Sequence, residues 1–179
     1  FTSGGTLTYR PSFYSRHSVD VGYSKASASD LIISANPTYF QNGENLQQYI
    51  RLSYVFSWAN RDYFAYPLEG NIYRAEVNNF GLGIFDDLNM FTVRASANNN
   101  LVLGKNLYLG NTIEGYVNFS DDIPFILRSG FGYRPDFIRG YERFVVESNA
   151  FVSNRSELKF KFLSGIQELS QRSLVQQFQ

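Results

Sequence analysis

Apolar and polar residues alternate along most of this chain with a period of two, the spacing of a strand with two unlike faces. In "QYIRLSYVFSWA" the residues Ile50, Leu52, Tyr54, Phe56 and Trp58 share one parity, while Arg51, Ser53, Ser57 and Ala59 share the other with Val55. The same pattern sets Leu7, Tyr9 and Phe13 against Thr6, Thr8, Arg10 and Ser12, and Val19, Val21 and Tyr23 against Asp20, Gly22 and Ser24. It recurs in Phe91, Val93, Ala95 and Ala97 against Thr92, Arg94, Ser96 and Asn98. Leu107, Leu109, Ile113, Val117 and Phe119 oppose Tyr108, Thr112, Glu114, Tyr116 and Asn118, and Leu158, Phe160 and Phe162 oppose Glu157, Lys159 and Lys161. In "EGNIYRAEVNNFG" the pattern is noisier, with Tyr73, Ala75 and Val77 opposing Arg74, Glu76 and Asn78. About seven or eight strands of roughly nine to thirteen residues follow, separated by Gly, Asn, Asp and Ser turns. No helical period competes with them.

Alternation alone suits either a soluble β-sandwich, whose polar face meets bulk water, or a transmembrane barrel, whose apolar face meets lipid. Three features favour the barrel. The strands are long for a sandwich, aromatic residues gather toward the ends of the apolar faces, and the polar faces hold charges of both signs. Arg10, Asp20, Arg51, Arg74, Glu76, Arg94, Glu114, Glu157, Lys159 and Lys161 all take the polar parity. The apolar residues listed above include no Arg or Lys, either of which costs roughly 2 to 4 kcal/mol at the midplane of a bilayer. The reading is therefore all-β: a transmembrane antiparallel up-and-down β-barrel with about eight strands present.

Composition narrows the chemistry. The 179 residues carry 16 Lys+Arg and 16 Asp+Glu, so bulk charge draws the chain neither to nucleic acid nor to an acidic surface. There is no cysteine, which excludes disulfides and thiolate metal sites within it. Aromatic residues reach 17%, heavy for an ordinary soluble domain. The single histidine, His17, is expected on a strand face without catalytic partners. The opening residues show no signal peptide, and no apolar run approaches the roughly eighteen residues of a membrane helix. Asp86, Asp87, Asp121 and Asp122 read as solvated turn acids rather than a calcium site. The "GLG" at 81 to 83 lacks the strand-to-helix context of a phosphate loop. No nucleophile, base and orienting group cluster, so no enzyme and no cofactor are expected.

Three blocks carry a family resemblance. "FIRGYERF" resembles the Arg-Gly-Tyr motif of the Omp85 superfamily, here Arg139, Gly140 and Tyr141. "SNRSELKFKF" is similar to the strand that follows it, with Asn154 and Glu157 at the motif positions. "NRDYFAYPLEGNIY" resembles an upstream segment of that family through Asn60, Arg61, Asp62, Tyr66, Pro67 and Gly70. The resemblance implies that residues 1–179 are one central segment of a barrel of about sixteen strands, of the BamA/TamA surface-antigen type. It implies a long loop at about 120–155 folding into the lumen, with the loop arginine paired to a carboxylate on a strand beyond Gln179.

It further implies insertion or export of proteins at the outer membrane of a Gram-negative bacterium. The implied partners are outer-membrane lipid and lipopolysaccharide, unfolded or translocating outer-membrane proteins, and accessory assembly subunits; nucleic acid is not among them. A porin-like solute channel and the barrel anchor of a patatin-like enzyme are the alternative functions.

Overall fold

A computed structural model describes residues 1–63, 65–84, 88–120, 122–131 and 145–162. The expected all-β class is what the chain adopts. Strands β1 (Thr2–Tyr9), β2 (Ser15–Ser27), β3 (Leu46–Arg61), β4 (Gly70–Phe80), β5 (Met90–Gly104) and β6 (Leu107–Asn118) follow one another. Two short strands, β7 (Gly130–Phe131) and β8 (Val146–Glu147), precede the long β9 (Ala150–Phe160). A six-residue helix, α1 (Asp30–Ala35), sits between β2 and β3.

Seven strands form one sheet in the order β1-β2-β3-β4-β5-β6-β9, and every neighbouring pair is antiparallel. Each of the first five neighbouring pairs in that order is consecutive in the chain, the wiring of an up-and-down meander. The sheet is open among the described residues, with β1 and β9 as its edges. The pair β7 and β8 stands apart as a two-stranded ribbon.

Register fixes which residues share a face. Thr6, Asp20, Ser53, Asn78, Thr92 and Asn118 lie in one row across six strands, and Val19, Tyr54, Val77, Val93, Val117 and Ala150 lie in another on the opposite face. The parities read from the sequence therefore fall on common faces throughout the sheet. The end of β2 departs from the pattern. β2 runs on past Tyr23 to Ser27, which puts Lys25 on the apolar parity opposite Gln48, at the margin where a long side chain can reach water.

Burial is the reverse of what a water-soluble sheet shows. Ser53, Thr92, Asn100, Asn118, Lys159, Tyr108, Tyr116 and Phe151 are all buried, and all lie on the polar face. On the other face Leu7, Val21, Leu52, Tyr54, Ile113, Val152 and Leu158 are exposed, Leu7 and Val152 at 76%. A bare aliphatic or aromatic side chain in water forfeits about 1.5–3 kcal/mol of transfer free energy, so a face of this kind requires an apolar cover.

Part of this burial comes from the turn between β3 and β4, whose Pro67 and Tyr66 meet Lys159 on the polar face. In the described parts of the connections at one end of the sheet, Phe40, Leu88 and Pro124 are buried, as is Met90 at the start of β5. Two of these connections are tied together: the Phe125 amide donates to the Thr38 carbonyl at 2.8 Å, and the Phe125 ring stacks on Tyr39. The opposite end carries the tighter turns 10–14, 62–69 and 105–106.

The last long strand begins earlier than the alternation suggests. A loop reaching about residue 155 is expected from sequence, whereas β9 starts at Ala150. Residues 150–156 break the expected parity because Phe151 points to the polar face, stacking on Tyr116 at 5.4 Å, while Asn154 and Ser156 take the other face.

Candidate functional site

The turn between β3 and β4 is built around one carboxylate. Asp62 Oδ1 accepts the backbone N–H groups of Tyr63 at 2.8 Å, Leu68 at 3.0 Å and Glu69 at 3.2 Å. The Asp62 amide in turn donates to the Glu69 carbonyl at 3.2 Å, closing the turn on itself. An acceptor-only group with about four lone-pair sites suits three converging N–H donors. Gly70 then restarts the sheet with φ of +103°, and an added Cβ would sit 1.9 Å from the Asn60 carbonyl oxygen, so only glycine fits there.

This turn is clasped to a strand 92 residues away. Lys159 of β9 is buried and donates from Nζ to the Pro67 carbonyl at 2.9 Å and to Asn100 Oδ1 at 3.1 Å. Its Nζ lies 2.9 Å from Glu157 Oε1 and 4.7 Å from the centroid of the Tyr66 ring. Asn100 of β5 completes the link by donating from Nδ2 to the Gly70 carbonyl at 3.4 Å and to Asn98 Oδ1 at 2.7 Å.

Three oxygens and an aromatic face thus surround an ammonium group that has three N–H donors. The arrangement uses all of them, which makes Lys159 a cross-tie rather than a reactive amine. Cations held over aromatic rings are stabilised further when desolvated, as here.

Several residues singled out in the sequence meet in this clasp. Asp62, Tyr66, Pro67 and Gly70 come together with Glu157, so two of the three resembling blocks are in contact. Arg61 ends β3 at the base of the turn. Asn154 does not join them: it lies on the opposite face, where its Oδ1 accepts from Asn111 Nδ2 at 2.7 Å. Arg139, Gly140 and Tyr141 lie outside the described residues, as do Asp86, Asp87 and Asp121. The segment carrying Arg139 is closed at its base, because Gly130 and Phe131 pair with Glu147 and Val146, and Arg128 Nη1 meets Glu147 Oε2 at 2.8 Å.

Lys159 enters the sequence reading only as one of many polar-face charges, and Asn100 does not enter it at all. The available signal is the tight spacing of Glu157, Lys159 and Lys161 on one face.

Beyond the clasp, the polar face is a ladder of ion pairs. Arg51 meets Asp20 at 2.6 Å, Arg74 meets Glu76 at 2.9 Å, and Arg94 meets Glu114 at 2.6 Å, with Arg155 at 3.6 Å on the second oxygen of Glu114. Arg94 also lies over the rings of Tyr116 and Phe151. Each strand carboxylate of this face, Asp20, Glu76, Glu114 and Glu157, already has a cation of the same wall within 2.9 Å.

His17, by contrast, sits on the apolar face, with its Nδ1 2.8 Å from the Tyr54 hydroxyl and its ring beside Phe56. Among the described residues no group of three His, Asp or Glu side chains could hold a metal ion, and no helix is long and apolar enough to cross a membrane, which says nothing of strands.

The chain matches no family model and no curated protein sequence.

The clasp generates a direct expectation. Lys159→Met keeps most of the apolar stem and removes the ammonium group, and should cost about 2–4 kcal/mol of stability through its lost charge-assisted hydrogen bonds. Amide hydrogen exchange at Leu68 and Glu69 should accelerate in that variant and much less in Lys161→Met. Unchanged exchange at the turn would show that Asp62 alone holds it.

Proposed function

We propose that this chain is a wall segment of a transmembrane antiparallel β-barrel of the Omp85 type, acting in the insertion or export of proteins at a Gram-negative outer membrane. One observation carries the barrel reading: the apolar face is bare, while the opposite face holds the buried side chains and pairs its charges internally. Hydrocarbon covers a bare apolar face without a second protein layer, and closure removes the unpaired edges that β1 and β9 present. The ion-pair ladder then lines the lumen, where its members satisfy one another.

The assembly function rests on the resemblance, since a fold does not fix an activity. Two observations support it. The clasp joins two of the three resembling blocks through Lys159, so these residues form a single physical unit. The ribbon of β7 and β8 returns the chain to its starting point on either side of Arg139, as a loop folding inward needs. In this reading the segment supplies a rigid wall and the lumen loop, while client strands are templated elsewhere by β-augmentation.

A charge placed on either face tests the barrel. During folding into lipid vesicles, Tyr54→Arg should cost roughly 2–4 kcal/mol, and Val55→Arg, set opposite Glu76 in the register, should cost under about 1 kcal/mol. Equal costs at the two positions would contradict the assignment of the faces.

The assembly function has its own test in the full-length gene product. Arg139→Ala should fail to restore outer-membrane protein assembly in cells depleted of the wild type. Arg139→Lys should restore it only in part, because an ammonium group cannot reproduce the planar guanidinium fork. Full complementation by the Ala variant would return the solute-channel reading to first place.

A further inference from the structure

The apolar face carries a polar patch, and its position follows from how the apolar band crosses the register. On β3 the apolar residues run from Ile50 to Trp58, centred on Tyr54, and polarity begins at Asn60. The row through Tyr54 passes Val77, Val93 and Val117 and reaches β9 at Ala150. On β9, however, the band extends from Ala150 through Val152 and Leu158 to Phe160, so its centre lies near residue 155. A drift of about five residues at ~3.3 Å each, over four strand spacings of ~4.8 Å, turns the band roughly 40° away from the perpendicular to the strands, which is the tilt the strands would have to the normal of a membrane lying along the band. Outer-membrane barrels tilt their strands by about 35–45°.

That inclination changes the meaning of one row. Asn60, Asn71, Asn99, Asn111 and Ser156 are in register across β3, β4, β5, β6 and β9. On β3 the row marks the margin of the apolar band. On β6 and β9 it crosses the middle. Asn111 Nδ2 donates to Asn154 Oδ1 and to Ser156 Oγ, both at 2.7 Å, and this trio is flanked by the exposed Val152 and Leu158. Beside it Ala95, Ala97 and Gly115 leave a shallow groove of about 450 Å³, bounded by Val93, Ile113 and Val117.

We propose that this patch is where two copies of the protein meet inside the membrane, an inference that rests on the barrel reading above. Amide and hydroxyl groups facing hydrocarbon carry a desolvation cost that a hydrogen-bonding partner relieves. The patch bears no charge, and Asn154 and Ser156 can each both donate and accept, so it is complementary to itself. Copies in one membrane share one orientation, and their two-fold axis runs along the membrane normal. Residues near that axis therefore face their own counterparts at equal depth, and Asn154 meets Asn154. The small side chains alongside let two walls approach closely, which matters where association depends on packing and hydrogen bonds rather than on hydrophobic force.

The test uses the full-length protein in liposomes of phosphatidylcholine and phosphatidylglycerol, where each new cysteine is the first in this segment. Asn154→Cys should form covalent dimers with a short bismaleimide, and Leu52→Cys should not. Adding Asn111→Leu and Ser156→Ala should lower the dimer yield about tenfold while the barrel stays folded. Equal cross-linking at both positions, no loss with the added substitutions, or adducts formed only with a different protein in native membranes would each overturn the proposal. A nitroxide at Leu52 separates the two readings. Exposure to lipid without dimers removes this inference alone, whereas exposure to water removes the barrel with it.

Discussion

A strand places successive side chains on opposite faces, and a sheet has only two faces to give. Everything else in this molecule depends on how that two-residue period is kept in phase across seven strands. A slip of one residue between any pair would carry Arg51, Glu76 or Arg94 to the apolar face and Tyr54 or Val77 to the polar one. The phase is held by more than backbone pairing. Ion pairs join β2 to β3, β5 to β6, and β6 to β9 on one face, and aromatic contacts such as Trp58 on Tyr73 join strands on the other.

The internal pairing of the polar face follows from the same constraint. Once hydroxyls, amides and ions share one side of the sheet, each must find a partner there or keep its water. Asp62 gathers a turn, Lys159 fastens that turn across the sheet, and Glu114 serves two arginines. At the other end, Thr38 and Tyr39 hold Phe125 and so tie two connections together. The proposed barrel places this polar assembly around a lumen and gives the apolar face to lipid. In that setting the outer-face amides of Asn111 and Asn154 stand out, since lipid offers them no partner.

Much of this was legible in the sequence because the period of two is a local property. Ile50 to Trp58 announce a strand and its faces without knowledge of any neighbour. The clasp was not legible, because Lys159 and Pro67 are distant in sequence and only the register brings their strands to one end of the sheet. The start of β9 is not legible for a related reason: Phe151 turns to the polar face to stack on Tyr116, which breaks the local alternation. Nor could the chain alone reveal that Asn60 marks a margin while Ser156, in the same row, lies mid-band. That difference appears only when the apolar stretches of β3 and β9 are laid across the sheet.

A spin-label scan along β9 in lipid vesicles tests the central claim most directly, by comparing accessibility to oxygen with accessibility to a water-soluble nickel chelate. The expected profile alternates over residues 152 to 158, with oxygen contact at Val152 and Leu158 and nickel contact at Ser153 and Arg155, and then shows low access to both at the buried Lys159. A uniform profile, or alternation in the opposite phase, would contradict it.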